Sequence, residues 1–404
     1  MDFFKLAFED QDKTLSVLKR NKYIGFARVL ILIAALSCFL YFTACRFVIA
    51  GIGIILALLP GTRDKIFADR SNIIIAVFTL ITASVALYYG NYIGLARTGV
   101  FACMMIIFFV AKKIMTKSFF EVLMNVICIG GSVASVYSIY EMIVNSKVNP
   151  AYRCEVSFSN ANFFGVAVMF VILICAYKVV NRVKYYFIYF LVALINAVGL
   201  YLSGSMSLWL IGCIGIVLLL IFSHDYKLLA IFLGVVVTVV IAVILIPQFL
   251  PRINQLGSTT NNRILIWNFA IEQIKEAPIF GHGFFSYKHL YNTLSPTRPD
   301  IYKAALAHNL LLDSLLCHGF VGTALLGVYI GNFIRKLIFK HDELKKRGQR
   351  YPHIVFAVAS GAAIACYGLM DTTFVWVQTG MILLFIISGI GADERKLRHI
   401  KKRD

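Results

Sequence analysis

Two polar residues in one long polar segment have side chains suited to proton exchange and to binding an anion. The segment covers residues 248–308; it contains Arg263 and ends at His308, directly before the apolar run 309–334. A histidine at the water-facing end of a membrane helix can exchange protons near neutral pH. An arginine has a planar, permanently charged fork that matches phosphate or diphosphate. Taken alone, each residue has a commoner interpretation, an interfacial histidine without chemistry and a solvated arginine on a surface helix.

The sequence around Arg263 predicts an amphipathic helix. Residues 260–262, Thr-Asn-Asn, are types that favour a helix N-cap. Apolar residues then recur at helical spacing, at Ile264, Trp267, Ile271 and Ile274. Pro278 ends the helix, and Gly281-His282-Gly283 predicts a turn. This register puts Arg263 in the first helical turn, where free backbone N–H groups and the helix dipole favour an anion.

The composition is that of a membrane protein. The chain has 404 residues, of which 60% are hydrophobic and 15% charged, and its mean hydropathy is +0.80. Soluble domains do not have this composition, so we predict a polytopic membrane protein. Its nine cysteines show no C-x-x-C pair and no Cys/His ligand spacing, which argues against a disulfide framework and a zinc site. We expect no metal site and no cofactor.

Twelve apolar runs are long enough to cross about 30 Å of hydrocarbon. They are residues 24–44, 46–60, 72–89, 93–111, 119–144, 163–180, 186–203, 206–222, 228–247, 309–334, 354–372 and 373–391. The predicted fold is all-α, with about twelve transmembrane helices. One large extracytoplasmic loop, 248–308, contains short helices, and a smaller outer loop covers residues 145–162.

Lysine and arginine are unevenly divided between the two sides of these spans. When the N-terminus is placed in the cytoplasm, the cytoplasmic segments hold 28 of the 39 and the outer segments hold 10. This asymmetry predicts that both termini are cytoplasmic and that the loop 248–308 is outside. The net charge of +19 therefore reflects topology, and we do not expect nucleic acid as a partner. The basic tail 395–403 is expected to contact anionic membrane lipids.

Three ionisable residues within or near the spans each have two interpretations. Asp313 is either functional or a buried structural partner of a hydroxyl group. It lies five residues from His308, about 140° around a helix, so the two do not pair simply. Arg97 and Glu141 could line a head-group pocket, or could extend their charged ends to the interface, and we favour the second interpretation.

Three groups of residues, in order, resemble the O-antigen ligase and polymerase family of membrane glycosyltransferases. The first, Phe158-Ser159-Asn160-Ala161-Asn162-Phe163-Phe164-Gly165, is similar to an Asn-rich element that opens a span in that family. The second, Arg263-Ile264-Leu265-Ile266-Trp267 with Pro278-Ile279-Phe280-Gly281-His282-Gly283, is similar to its R-x-x-x-W and P-x-x-G-x-G elements. The third, Ala307-His308-Asn309, is similar to its H-N element. The resemblance covers residues 157–331.

The resemblance implies a substrate and a reaction. The enzyme would move a glycan from polyprenyl (undecaprenyl) diphosphate to a sugar hydroxyl on the outer face of the plasma (inner) membrane, without a metal. The partners would be a lipid-linked oligosaccharide donor, a glycan or lipid-glycan acceptor, and membrane lipids. The implied catalytic residues are His308 and Arg263. The implied substrate-binding residues are Arg252, Trp267, Asn309, Asn162, Gly281 and Gly283.

One position departs from the family pattern. The family has an arginine in an S-R-x element, and this chain has Met206 there, in Ser203-Gly204-Ser205-Met206. Another cation must then assist Arg263, and Arg252, Arg153 and Arg97 are all open. The missing arginine slightly favours a polymerase over a ligase. A polymerase joins lipid-linked repeats, whereas a ligase moves a finished glycan to a terminal acceptor.

The resemblance also divides the chain. Residues 1–156 would form the N-terminal transmembrane helices 1–5. Residues 157–331 would form the ligase/polymerase-like core, and residues 332–404 the C-terminal helices and basic tail. The alternative is a twelve-span transporter or a lipid-linked glycan flippase. A carrier of that kind has its long connection after the sixth span, on the inside, whereas this chain has it outside, before the tenth.

The charge asymmetry makes a testable prediction about topology. In a variant without the native cysteines, a cysteine introduced by Ser258→Cys should react with a membrane-impermeant thiol reagent in intact cells. One introduced by Gln349→Cys should react only after the cells are opened. The opposite labelling pattern would reverse the predicted orientation.

Overall fold

The computed structural model describes residues 15–149, 152–246, 256–372 and 376–394, with backbone alone at 15–21 and 256–260. Within these ranges the chain is all-helical and contains no strand. The first helices are α1 (Leu15–Ser37), α2 (Phe42–Leu58), α3 (Pro60–Ile66), α4 (Asn72–Tyr88), α5 (Tyr92–Ile114), α6 (Lys117–Asn145), α7 (Ala161–Val180) and α8 (Tyr186–Leu202). The others are α9 (Met206–Phe222), α10 (Tyr226–Leu245), α11 (Leu256–Glu276), α12 (Ser286–Leu294), α13 (Leu310–Lys346), α14 (Pro352–Gly368) and α15 (Val377–Ser388).

Each of the twelve predicted spans falls on one of these helices. By length and composition, six described segments can cross a membrane: α5, α6, α7, α10, α13 and Val377–Glu394. A seventh is possible if α2 and α3, which are bent by 96°, form one span. Four further apolar helices, α4, α8, α9 and α14, have 17 residues, which is at the lower limit for a span. The protein is therefore a multi-pass membrane protein, and the count of twelve stays a prediction.

Several helices begin at a polar residue whose side chain accepts a backbone N–H, as a helix N-cap does. Asn91 accepts from Gly94, Thr116 from Phe119, Asn160 from Asn162, Asp225 from Leu228, and Asn309 from Leu311 and Leu312. The caps at Asn160 and Asn309 belong to the two motifs that resemble the ligase family. They set the points at which α7 and α13 leave the loops.

The core lies around α7, which packs against α6, α8, α9 and α15. Helix α10 is the opposite case, because none of its side chains is buried. An apolar helix without buried residues is suited to contact with lipid. Helices α11, with 21 residues, and α12, with 9, pack on α13 at one end of the molecule, so only α12 is a short helix of the kind predicted for the loop. We call this end the loop side. It is the side predicted to face outward.

Helix α11 differs from the prediction at its start. It is already helical at Leu256, so residues 260–262 are not its N-cap. Arg263 is therefore about two turns into the helix, where backbone N–H groups are bonded within the helix. The expected contribution of a helix N-terminus to anion binding at Arg263 is wrong. Its contribution must come from the guanidinium group alone.

Backbone hydrogen bonds at a break in α13 attach the loop side to the membrane helices. Gly319 has φ +59° and ψ −166° inside this helix. The carbonyl oxygens of Leu316 and Cys317 accept the N–H groups of His282 and Gly283, at 3.0 and 2.8 Å. In the other direction, the N–H groups of Phe320 and Val321 donate hydrogen bonds to the carbonyl oxygens of Pro278 and Ile279, at 2.8 and 3.0 Å. The P-x-x-G-x-G element thus satisfies the backbone groups that the break exposes.

Glycine is required where the P-x-x-G-x-G element crosses α13 at Gly319, a contact that we call the crossing. Gly281 has φ +67°, and a Cβ atom there would lie 2.6 Å from backbone atoms of Cys317, His318 and Gly319. A Cβ on Gly319 would lie 2.4 Å from the Ile279 carbonyl. Neither neighbour can yield, because both are backbone.

Gly281→Ala should therefore destabilise the protein. The left-handed backbone alone costs about 1–2 kcal/mol with a side chain, and the close approach adds to this. At about 2–4 °C per kcal/mol, we expect the melting temperature of the purified protein to fall by several degrees and its abundance in membranes to drop. Gly327→Ala, inside α13 with open space around its Cβ, is the control and should melt like the wild type. Equal melting of the two variants would contradict the structural role of the crossing.

Candidate functional site

A cavity of about 310 Å³ opens on the loop side. Its walls come from the start of α7, from α11, from residues 302–308 before α13, and from the segment between α14 and α15. The polar side chains on its walls are those of Ser159, Asn160, Asn162, Tyr302, Lys303, His308 and Asp371. The cavity therefore gathers residues from both predicted outer loops.

Asp371 lies at the centre of the polar contacts. Its side chain is 1% exposed, and its oxygens accept four hydrogen bonds. Oδ1 accepts from His308 Nδ1 at 3.0 Å and from the Thr372 N–H at 2.8 Å. Oδ2 accepts from Asn162 Nδ2 at 3.1 Å and from the Tyr367 hydroxyl at 3.4 Å. A buried carboxylate without such donors costs several kcal/mol, so Asp371 holds these groups in place.

His308 and Asp371 change each other's pKa. Burial by itself lowers the pKa of His308, but the charge of Asp371 and the hydrogen bond to it outweigh burial and raise the pKa above 6.5. Burial by itself raises the pKa of Asp371, but the charge and hydrogen bond of His308, with the Thr372 N–H, bring it below 3.8. Asp371 therefore stays ionised, and His308 titrates above its ordinary range.

The bond to Asp371 also sets which nitrogen of His308 is basic. Because Nδ1 faces a carboxylate, it carries the proton in the neutral imidazole, and the lone pair is on Nε2. The side chain of His308 is 31% exposed and lies on the cavity wall. His308 has φ +50°, an uncommon conformation for a residue with a side chain. Such strain is typical of a residue held by its surroundings in a functional position.

Arg263 lies near this pair. Its positive charge opposes the rise in the pKa of His308 and helps to lower that of Asp371. Arg263 as a whole residue is half-buried. The structure thus brings the two predicted catalytic residues, His308 and Arg263, into one electrostatic environment.

A second arginine reaches the same network from the smaller outer loop. Arg153 donates from Nη2 to Asn162 Oδ1 at 2.5 Å and from Nε to the Ser203 carbonyl at 2.8 Å. Asn162 in turn donates to Asp371, so hydrogen bonds run from Arg153 through Asn162 and Asp371 to His308. Ser203 opens the Ser203-Gly204-Ser205-Met206 element, where the family pattern has an arginine at Met206. Arg153 places a guanidinium group beside that element.

Glu141 shapes the loop that carries Arg153. Its carboxylate accepts the N–H groups of Glu155 and Val156, at 3.2 and 2.9 Å, and the hydroxyl of Tyr152. It therefore does more than extend to the interface, which was the interpretation favoured from the sequence. The backbone N–H of Cys154 is donated to the Leu202 carbonyl at 3.1 Å, which fixes the loop to the end of α8.

Four other predicted site residues that the structure describes, Trp267, Asn309, Gly281 and Gly283, are not on the cavity wall. Asn309 caps α13, and its Nδ2 donates to the Leu369 carbonyl at 3.1 Å, which holds the segment that bears Asp371. Trp267 packs on the small core between α11 and α13, and its Nε1 has no hydrogen-bond partner within the described ranges. Gly281 and Gly283 form the crossing with α13. Arg252 lies outside the described residues.

Asp313 has a structural contact. Its carboxylate accepts the backbone N–H of Ala307 at 2.9 Å and is buried. The bond closes the turn that presents His308. This agrees with the second of the two interpretations given from the sequence, although the partner is a backbone group and not a hydroxyl.

Sequence reasoning missed Asp371 as a functional residue. Asp371 lies at the end of the predicted span 354–372, just before the predicted span 373–391. The sequence did contain a signal, because an acidic residue between two predicted spans is a candidate functional residue in the same way as Asp313. Its partners, Asn162 and His308, are 209 and 63 residues away in the chain, and no spacing rule connects them.

The arrangement is suited to transfer of a group from an anionic leaving group. A basic nitrogen, oriented by a carboxylate, lies on the wall of the cavity, and two arginines stand near it. Asn162 and Lys303 add hydrogen-bond donors.

The comparisons with known proteins agree with this chemistry. Residues 191–327 match the family model described as O-antigen ligase. No curated protein matches the chain. The matched segment contains Met206, Arg263, the Gly281–Gly283 turn and His308, whereas Arg153, Asn162 and Asp371 lie outside it. This match confirms the resemblance drawn from the motifs: over residues 191–327 the chain is similar to the O-antigen ligase family, which supports a membrane glycosyltransferase of the ligase and polymerase type.

Proposed function

We propose that the protein transfers a glycan from a polyprenyl diphosphate to a sugar hydroxyl, on the outer face of the membrane. The observation that carries this proposal is the His308–Asp371 pair on the wall of a cavity whose polar network also includes Asn162 and Arg153. The proposal covers a polymerase and a ligase, because both use the same chemistry and differ in the acceptor. The smaller loop supplies Arg153 beside Met206, so Met206 no longer favours a polymerase.

His308 acts as the general base. The acceptor hydroxyl gives its proton to Nε2 as its oxygen bonds to the anomeric carbon of the donor glycan. The bond from that carbon to the diphosphate oxygen breaks, and the leaving group takes the electron pair. Asp371 stabilises the imidazolium that forms, as a carboxylate does for the histidine of other acyl- and group-transfer sites. Proton transfer of this kind contributes about 10²–10⁴ in rate.

Arg263 and Arg153 stabilise the leaving diphosphate. Negative charge grows on the diphosphate in the transition state, and preformed cations lower the barrier most when they face that charge. Arg263 comes from α11 and Arg153 from the smaller loop, so the two approach the cavity from different elements. Two guanidinium groups suit a diphosphate, whose two phosphate units offer several acceptor oxygens.

The His308–Asp371 pair predicts the pH dependence of transfer. Neutral imidazole is the active form, and Asp371 raises the pKa of His308 above 6.5. We therefore expect kcat/KM of the wild type, measured with purified protein and lipid-linked donor, to rise with pH through a midpoint above 6.5. Asp371→Asn removes the charge that raises the pKa, so its midpoint should move to lower pH, with a lower plateau.

His308→Ala is the reference for this experiment. It should lose about 10²–10⁴ in rate and should show no titration in the same pH range, while it melts like the wild type and still binds the donor. A His308→Ala protein that keeps wild-type turnover, or an Asp371→Asn protein whose midpoint moves upward, would disprove the assignment of the base.

The two arginines predict a graded loss of activity. Loss of one group that stabilises the developing charge costs about 10²–10³ in kcat, so we expect losses of this size for Arg263→Gln and Arg153→Gln. Lysine keeps the charge but not the planar fork, so Arg263→Lys and Arg153→Lys should recover only part of the activity. Lys275→Gln removes an exposed cation from the same helix α11 as Arg263 and should transfer normally. Wild-type activity in well-folded Arg263→Gln would remove Arg263 from the site.

A further inference from the structure

A second group of basic residues lies beside the candidate active site and is not explained by it. Arg46, near the start of α2, and Arg97, near the start of α5, line a small pocket on the loop side. Trp376 and Leu306 line this pocket and the larger cavity as well. The two spaces therefore share a wall.

Both guanidinium groups are held by aromatic rings. Arg97 lies over the rings of Phe42, Phe285 and Trp376, with its Cζ 4.9, 4.5 and 4.2 Å from their centroids. Arg46 lies over Phe42, at 4.2 Å. Trp376 is itself fixed, because it stacks on Phe42 at 4.6 Å and packs on Phe163 at 4.6 Å. Contact of this kind uses the face of a guanidinium group and leaves the N–H donors on its edge available.

These donors have few acceptors. Within the described residues, the one hydrogen bond of this arginine pair runs from Arg46 Nη2 to Thr43 Oγ1 at 3.3 Å, and neither side chain has a carboxylate partner. The buried Nε atoms of Arg46 and Arg97 and the buried Nε1 of Trp376 have no partner there. Three buried donors without acceptors, two of them on cations, are unusual in a folded protein. A ligand that has acceptor oxygens and a negative charge would offer these arginines and Trp376 the acceptors that they lack.

We propose that Arg46, Arg97 and Trp376 bind the phosphate group of a lipid from the leaflet on the loop side. The pocket volume is about 20 Å³, which is space for one water-sized group. A phosphate oxygen enters such a space, whereas a sugar ring does not, so the rest of the ligand stays at the membrane surface. This chemistry is common to a phospholipid and to a polyprenyl phosphate or diphosphate. Arg97 is thus a ligand-binding residue and not a side chain extended to the interface.

This site differs from the proposed diphosphate site. It uses residues of α2 and α5, whereas the cavity uses Arg263 and Arg153. A lipid held here lies next to the cavity, separated from it by Trp376 and Leu306. The inference concerns binding and does not depend on the proposed transfer reaction.

The test counts the lipids that stay bound to the purified full-length protein, by native mass spectrometry. The probes are phosphatidylglycerol, undecaprenyl diphosphate and inorganic diphosphate. We expect Arg97→Gln and Arg46→Gln each to bind one lipid fewer than the wild type, or to bind it at least tenfold more weakly, and Arg97→Lys to keep part of the binding. Arg335→Gln, an exposed arginine on α13, is the matched control and should bind as the wild type does.

The choice of probe identifies the source of the phosphate. Loss of binding for both lipids shows a site for any phosphate lipid of that leaflet. Loss for undecaprenyl diphosphate alone shows a site for the polyprenyl carrier. Unchanged lipid binding in both glutamine variants, or an effect on inorganic diphosphate alone, would overturn the proposal. His308→Ala should keep this binding, so a failure of the proposed reaction and a failure of this site give different results.

Salt dependence separates binding from a structural role. Attraction between two arginines and a phosphate weakens as ions screen it, so the bound lipid should dissociate as salt rises in the wild type. If Arg97→Gln does not fold, Arg46→Gln and Arg46→Lys carry the test, because Arg46 contacts one ring where Arg97 contacts three.

Discussion

An ionised carboxylate removed from water must be surrounded by hydrogen-bond donors, and Asp371 is such a carboxylate. Its donors come from α7 (Asn162), from the turn before α13 (His308), from the end of α14 (Tyr367) and from the adjacent Thr372. The need to satisfy one buried group therefore joins three distant parts of the chain at the cavity. The contact with His308 raises the pKa of that histidine and leaves Nε2 as its basic nitrogen. The contacts that satisfy Asp371 therefore also set the acid–base properties of His308.

The loop side can hold this geometry because it is bonded to the membrane helices by backbone groups. The break at Gly319 exposes carbonyl and N–H groups of α13, and the P-x-x-G-x-G element satisfies them. Asn309 and Asp313 then fix the start of α13 and the turn before it. Asn309, Gly281 and Gly283, for which substrate binding stays a prediction, do not line the cavity and make the contacts that hold neighbouring segments in place.

The positions of the cations show that electrostatic function depends on where a charge lies in space. Arg153 belongs to the smaller loop, yet its guanidinium group lies beside the Ser203–Met206 element, where the family pattern has its own arginine. The wall shared through Trp376 places a further pair of arginines next to the cavity. For the proposed function such positions are useful, because each charge can meet a lipid phosphate at a different stage of entry or release.

The sequence by itself determined the membrane class and most helix positions, and it predicted the loop 248–308 with two candidate site residues, His308 and Arg263. Hydrophobic length and local motifs carry that information, because helices and caps depend on near neighbours in the chain. The tertiary structure decided which side chains contact each other at the cavity. Asp371 was recognised only from its contacts with residues 63 and 209 positions away. Arg153 was one of three candidate cations until its contacts with Asn162 and Ser203 were known, and α11 begins before Arg263, which is therefore not at a helix N-terminus. Contacts of a buried charge depend on packing, and no local pattern records packing between segments so far apart.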